Sequence, residues 1–472
     1  VTTDEDDRLS AAFDRYAAAT KRVQWTPPLE LRRAATARRR RRRAVVGSVS
    51  TVVALAVAVS FAAVPNTPAH HPGVTKGQAA SAVRRQAVAP GSPNQVTVES
   101  AEQRFALALT KVILAQAPTS NVVVSPESLA TTLSMLELGA RGTTEHEIAA
   151  ALGSSSLNAQ QQASGWNALT AQLASDAAAA HVQLVDRNAV FVQQSLNVLT
   201  GFKDALMSNY GARVTTVDFR ATNGSAINVI NNWVHQVTGA ASPLFGPGSL
   251  SSSTELVMAD AMRFSAAWGP NVVFPARLTS RGEFVTTDGH PARVPMMKLL
   301  TADIQYVSST QMEGVVLPYA GGRFEAVAIE PTTGSISSLV STLTPASLDQ
   351  LAKNFRVGLV SLTMPTFSVG SNVNLDGTLR ALGIADAFNS SADFGGIARA
   401  RLELEAVAQS DQLSVGRYGT DASAASGAAT RAVSYSGHVT TISFDHPFIF
   451  VIRDKATGAI LFDAVITNPS AS

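Results

Sequence analysis

The hydrophobic positions change their spacing along this chain, and each change predicts a different kind of element. Ala44–Val64 reads AVVGSVSTVVALAVAVSFAAV, 21 residues with no charge. As a helix it would span about 30 Å, the thickness of a bilayer core. In Val98–Ala115 the apolar positions Phe105, Leu109 and Ile113 recur at helical spacing. Asn121–Val124 is a short strand-like run. Ser125-Pro126-Glu127-Ser128 then opens a helix, with Ser125 as cap and proline at the first helical position. Leu129, Leu133, Leu136 and Leu138-Gly139-Ala140 form its buried stripe. Thr143-Thr144-Glu145-His146-Glu147 starts another helix, with Ile148 and Leu152 inward and Gly153 ending it. Further on, β-branched and aromatic runs dominate: Glu255–Met262, Gly314–Pro318, Gly358–Met364, Thr441–Phe444, Phe448–Arg453 and Ala459–Val465. Helices first and strands later make the class α+β.

Charge divides the chain. Residues 1–43 hold 12 Lys and Arg against 6 Asp and Glu, and the remainder holds 25 against 29. The basic character belongs to the front tail, so a nucleic-acid partner is not expected, since that needs basic residues spread over a folded face. Arg38–Arg43 are six consecutive arginines directly before the apolar run. By the positive-inside rule, residues 1–43 form a cytoplasmic basic tail and residues 44–64 a single-pass signal-anchor. Everything after Val64 then lies outside the cell. The alternative is secretion after cleavage at a small-x-small site such as Ala56-Val57-Ala58 or Ser60-Phe61-Ala62. Residues 65–96, with Pro65, Pro68, Pro72, Pro90 and Pro93, read as a Pro/Ala-rich linker. The first residue is Val rather than Met, as a GTG start codon read literally or a truncated chain would give; the former suggests a bacterial gene.

The candidate chemistry is mostly negative. There is no cysteine, which excludes disulfides, thiolate metal sites and a cysteine nucleophile. G-x-S-x-G, Walker and G-x-G-x-x-G patterns are missing from residues 97–472. His146-Glu147 begins as a zinc-protease helix does, but Ala150 holds the second histidine position. His70-His71 lacks further ligands and reads as a polar spacer. His181, His235, His290, His438 and His446 are scattered, so no cofactor, metal or enzymatic activity is expected.

A set of motifs runs in order through the rest. These are Asn121-Val-Val-Val-Ser-Pro-Glu-Ser-Leu-Ala, Met135-Leu-Glu-Leu-Gly-Ala-Arg-Gly-Thr-Thr, Val217-Asp218-Phe219, Ile230-Asn231-Asn232-Trp233-Val234 and Ala261-Met-Arg-Phe264 leading to Trp268. They continue with Val294-Pro-Met296-Met297, Leu317-Pro318-Tyr319, Met364-Pro365-Thr366-Phe367, Leu382-Gly383 to Ala387-Phe388, Ala392-Asp393-Phe394, and Asp445-His446-Pro447-Phe448-Ile449-Phe450 to Asn468-Pro469. Together they resemble the serpin family over residues 97–470. The resemblance implies three β-sheets, eight or nine helices and an exposed reactive loop near the C-terminus, preceded here by the transmembrane helix. It implies a monomeric suicide-substrate inhibitor: a serine protease cleaves the loop, is acylated, and is carried across the protein as the loop inserts into the central sheet. It also implies a sheet-opening region at Ser125, Ser128, Asn231, Trp268 and Gln409.

The loop also meets a physical requirement of its own. A segment that becomes a central strand cannot hold proline, which lacks the ladder donor, and needs small side chains beneath the sheet. From Leu404 to His446 there is no proline. In Gly419–Thr430 one alternating face is Thr420, Ala422, Ala424, Ser426, Ala428 and Thr430, all small and uncharged. A flexible Ala/Gly/Ser linker has a similar composition, so the neighbouring motifs decide between the two. Gly419, Thr420, Asp421, Ala422, Ser423, Ala424 and Ala425 resemble the hinge of inhibitory serpins. Counting from Gly419 as in that family places the cleaved bond at Val433-Ser434, suited to elastase-like or subtilisin-like proteases. Tyr435 (chymotrypsin-like) and Arg431 (trypsin-like) are the alternatives. Three departures concern insertion. Arg417 stands where inhibitory members usually carry Glu. Gln409 replaces a histidine expected to bond the asparagine matching Asn231, and Asp260 replaces an asparagine. The alternative function is a non-inhibitory serpin-like binding or scaffolding module at the cell surface.

Overall fold

The computed structural model describes residues 90–221, 224–239, 242–344, 353–422 and 438–470. The expected tail 1–43, anchor helix 44–64 and His70-His71 lie outside the described residues. So do Ser423, Ala424, Ala425, Arg431, Val433, Ser434 and Tyr435. Among the described residues no helix is long and apolar enough to cross a membrane.

Helix α1 spans Pro93–Gln116 and begins inside the stretch read as linker. Its start signal is the one that opens the next helix, a serine cap followed by proline. The Ser92 hydroxyl accepts from the Gln95 amide at 3.2 Å. Next come β1 (Val122–Val124), α2 (Pro126–Glu137), α3 (Gly142–Ala151), α4 (Ala159–Ala180) and β2 (Gln183–Gln193). Helix α5 (Thr200–Tyr210), β3 (Val214–Val217) and α6 (Ser225–Thr238) lead to the long strand β4 (Leu256–Ala267). Then follow β5 (Ser280–Val285), β6 (Pro291–Ser308), β7 (Met312–Pro318), β8 (Phe324–Pro331) and α7 (Ile336–Thr342). The C-terminal part holds β9 (Arg356–Pro365), β10 (Phe367–Asn374), α8 (Asp376–Ala381) and β11 (Ala406–Gly416), then β12 (Gly419–Thr420), β13 (Thr440–Ser443), β14 (Phe448–Asp454) and β15 (Ile460–Ile466). The described residues thus contain eight α-helices.

The expectation of three sheets needs correction: the described strands form two hydrogen-bonded networks. One has nine strands and the other six, ordered β10-β11-β12-β4-β2-β3. The larger network joins what would be two sheets because β6 is one continuous strand of 18 residues. Pro291–Met296 pair with β5, Met296–Tyr306 with β9, and Gln305–Ser308 with β7. A register shift between Leu299 and Ala302 marks a bulge in the β9 ladder.

The six-stranded sheet is covered on both faces, which explains its composition. On one face α6 lays Ala226, Ile230 and Val234 over it, packing with Phe191, Val257, Ala259 and Ala408. On the other lies the main core with Leu129, Leu133, Met258 and Phe264. A strand buried on both faces is apolar continuously instead of alternately. Leu256–Met262 of β4 are accordingly all buried. Helix α2 is buried at every position, its polar members Glu127, Ser128, Thr131, Thr132, Ser134 and Glu137 included.

Helices α1 and α4 meet at Gly165. A Cβ there would lie 2.7 Å from the Asn94 carbonyl oxygen and 2.9 Å from Val98 Cγ1. Gly165→Val is expected to destabilise the protein by roughly 2 kcal/mol or more, because backbone cannot yield as a side-chain tip does. A lowered midpoint of thermal unfolding checks this; an unchanged midpoint would show that the helices separate freely.

Candidate functional site

The site is the seam between β4 and β11. In its lower part these strands pair directly and in parallel, from Val257 opposite Ala406 to Met262 opposite Asp411. In its upper part they are separated by β12. Gly419 and Thr420 pair antiparallel with Gly416 and Val415 on one side and with Ala267 and Ala266 on the other. The first two residues of the predicted hinge are therefore already a strand in the sheet.

Each has a specific reason to be there. Gly419 has φ +144°, and a Cβ would run into the Ala266 carbonyl oxygen and come within 2.8 Å of Ala267 Cα. Only glycine fits. Thr420 is 1% exposed, and its hydroxyl shares a hydrogen bond of 2.6 Å with the Tyr319 hydroxyl. Burial pushes the Tyr319 phenol up, so it stays neutral and can donate. The Tyr319 ring stacks on Trp268 with centroids 4.8 Å apart. The Trp268 indole N–H donates to the Gly416 carbonyl at 2.9 Å, and its amide donates to Tyr418 O at 3.0 Å. Trp268 thus holds the turn joining β11 to β12 by two bonds.

The paired strand ends before Asp421. Its φ is +50°, a left-handed conformation that a strand cannot continue through. Its amide donates to Ser414 O at 2.8 Å, its carbonyl accepts from the Ser265 hydroxyl at 3.1 Å, and its carboxylate lies 3.5 Å from Arg263. Ala422 follows, half-buried. Arg417 sits in the turn with its guanidinium 4.9 Å from the Tyr418 ring centroid.

Lower in the seam is a polar latch. Gln409 and Asp260 are opposite each other in the parallel ladder. The Gln409 Nε2 donates to Asp260 Oδ1 at 2.9 Å and to Ser125 O at 2.9 Å, and its Oε1 accepts from Ser125 N at 3.2 Å. The Ser125 hydroxyl caps α2 by accepting from Ser128 N at 3.4 Å. The Ser128 hydroxyl donates to Asp186 Oδ1 at 2.9 Å. Strands β4, β11 and β2 and helix α2 therefore converge on one network.

Ser125, Ser128 and Gln409 lie in this one network, and Trp268 sits at the upper end of the same seam. Asn231 is not part of this network. It lies on α6, where its carboxamide donates to Phe245 O at 2.8 Å and accepts from Phe245 N at 2.9 Å. The group facing Gln409 is Asp260, because ladder register places residue against residue while α6 crosses the outer face. The role of Tyr319 arises from a contact with a residue 101 positions away, which no local pattern signals.

The latch carries buried acid. Desolvation raises the Asp260 carboxyl well above its ordinary value, the Gln409 bond works against this, and Asp186 adds to the rise. Asp411 is raised by burial and by Asp260, and Glu127 by burial and by Asp186. The groups that act on Asp260 are neutral or acidic: Gln409, Ser128 and Asp186.

Comparison with known proteins agrees with this geometry. The family profile described as "Serpin (serine protease inhibitor)" matches residues 100–469. A serine protease inhibitor of Rattus norvegicus is 30% identical over 383 residues, covering 80% of this chain and 90% of its own. The native thermophilic serpin tengpin has a TM-score of 0.73 at 22% identity, covering 82% of this chain and 97% of its own. Human thyroxine-binding globulin complexed with thyroxine has a TM-score of 0.71 at 24% identity, covering 80% and 99%. The chain belongs to the serpin family. Serpins are protease inhibitors as a family, not enzymes.

The buried acids make stability fall with pH. A carboxyl raised in the folded state binds its proton more tightly there than in the unfolded chain. Its contribution is full below the ordinary carboxylate range and is lost as pH rises toward the raised value. Asp260→Asn keeps an oxygen for Gln409 and removes the charge. The variant is expected to unfold at a higher temperature than the parent at pH ~8, with the gap closing at pH ~4. A gap that is constant across this range would show that the Asp260 charge is not responsible.

Proposed function

We propose that this chain is a suicide-substrate inhibitor of serine proteases, working by insertion of its cleaved loop between β4 and β11. The observation that carries the proposal is the docked hinge. Gly419 and Thr420 already occupy the upper seam, and the small side chains after them suit the rest of it. After cleavage the loop is tethered only at this end. Each further residue pair that enters must first break the parallel β4–β11 pairing and the Gln409–Asp260 bond. It then gains ladder bonds on both sides. A net hydrogen bond contributes about 0.5–1.5 kcal/mol, so insertion along the length of the seam outweighs the latch.

The proposed cleavage is at Val433-Ser434, with Tyr435 and Arg431 as alternatives. The favoured targets are elastase-like or subtilisin-like proteases. The uncharged run 44–64 after Arg38–Arg43 supports anchoring in a membrane with the inhibitor domain outside the cell; secretion after cleavage is the alternative. Arg417 favours a second reading, a non-inhibitory binding or scaffolding module whose loop is cut without trapping. In that case the cation beside the hinge would slow insertion past the point where a protease stays acylated.

The test is to mix the protein with elastase, subtilisin, chymotrypsin and trypsin and to look for complexes that survive SDS. The mass of the released C-terminal peptide distinguishes cuts after Val433, Tyr435 and Arg431. Clean cleavage without any complex would overturn trapping of these targets. Thr420→Arg should leave cleavage intact and reduce complex yield by on the order of tenfold or more. Burying an unpaired guanidinium under the sheet costs several kcal/mol.

A further inference from the structure

At the end of the larger sheet, away from the seam, β7 and β8 place two glutamates directly opposite each other. Glu313 and Glu330 are register partners in the antiparallel ladder. Like charges in that position repel and are normally avoided. The segment after β13 brings two more titratable groups to the same place, Asp445 and His446. All four line a cavity of about 600 Å³ that also includes Thr441, Ser443 and Pro447.

The geometry is that of metal ligands. One donor atom each from Glu330, Asp445 and His446 lies within 4.8 Å of the other two. The His446 Nδ1 is 2.6 Å from Asp445 Oδ1 and 3.7 Å from Glu330 Oε1. The second distance is too long for a hydrogen bond. Two ligands of one tetrahedral zinc ion, each about 2.0–2.1 Å from it, stand about 3.3 Å apart. Closing one separation and opening the other by well under about 1 Å would admit the ion.

The ligands are also held in place by the fold. The Glu330 side chain is only 7% exposed, and its Oε2 accepts from the His446 amide at 3.3 Å. The Asp445 carbonyl accepts from the Val285 amide at 2.8 Å, tying that segment to β5. Glu313 Oε1 accepts from the Ser443 amide at 3.2 Å and stands beside the cluster as an outer group. One half-exposed imidazole faces three carboxyl groups there.

We propose that Glu330, Asp445 and His446 form a zinc site, with water in the fourth position and Glu313 beside it as an outer group. An imidazole with two carboxylates favours zinc or a similar transition ion over calcium or magnesium, which prefer all-oxygen sites. The ion would fasten the exit of β13, the strand by which the reactive loop rejoins the body, to β7 and β8. The inference does not depend on the inhibitor reading.

The test uses the full chain, stripped with EDTA and titrated with zinc chloride in calorimetry, alongside His446→Ala and Glu330→Gln. The parent is expected to bind one equivalent that both variants lose, with affinity falling by at least about a hundredfold. Zinc should also raise the thermal unfolding midpoint of the parent and not of the variants. Cobalt substituted at the site should give visible absorption that depends on His446. No zinc binding by the parent would overturn the proposal. So would binding undiminished in both variants, which would place the ion elsewhere, His70-His71 included. If one variant melts without metal at a much lower temperature than the parent, the other variant and the cobalt spectrum decide.

Discussion

The candidate site depends on the parallel pairing of β4 with β11. It is one seam in a sheet covered on both faces, so its ladder bonds are buried and shielded from competition with water. Such a seam would ordinarily be permanent. Here its upper end holds the two residues of β12 between the strands, and its middle is bridged by Gln409, bonded to both Asp260 and Ser125. The acids around it carry the cost of burial beside one another. The closed sheet is therefore less stable than its backbone pairing suggests. An added strand would replace this arrangement with a full ladder.

The two residues of β12 are held between the strands by specific contacts. Gly419 can pass against Ala266 only because it has no Cβ, and Thr420 is drawn in by the Tyr319 hydroxyl. Asp421 then turns the backbone left-handed and meets Arg263. The ion pair is partly exposed and is worth little by itself, about 1 kcal/mol at most. Trp268 fixes the turn beneath through its bonds to Gly416 and Tyr418.

Much of the fold could be read along the chain. The Ser-Pro start of α2, the glycine ends and the β-branched runs are local signals, and the structure places elements on them. The start of α1 at Pro93 was also legible, since Ser92-Pro93 is the same signal; the surrounding prolines disguised it as linker. The joining of two expected sheets through β6 was not legible. It depends on β6 pairing with β5, β9 and β7 along its 18 residues. The pairing of Gln409 with Asp260 in place of Asn231 was missed for a similar reason. Parallel strands 149 residues apart choose a register through their whole buried length, not through the residue types at one point.

By itself, the sequence determined which segments could be helix, strand or insertable loop, because spacing, caps and the exclusion of proline act within a few residues. It also determined that Gly419 and the small residues after it could lie under a sheet. Only the tertiary structure decided how far the hinge is inserted, that Asp421 ends it, and which acids share the seam. It alone brought Glu313 and Glu330 opposite each other beside His446. The physical reason is that desolvation and ladder register are properties of packed surfaces. A buried carboxyl is costly or useful according to what the fold places against it, and those neighbours come from distant parts of the chain.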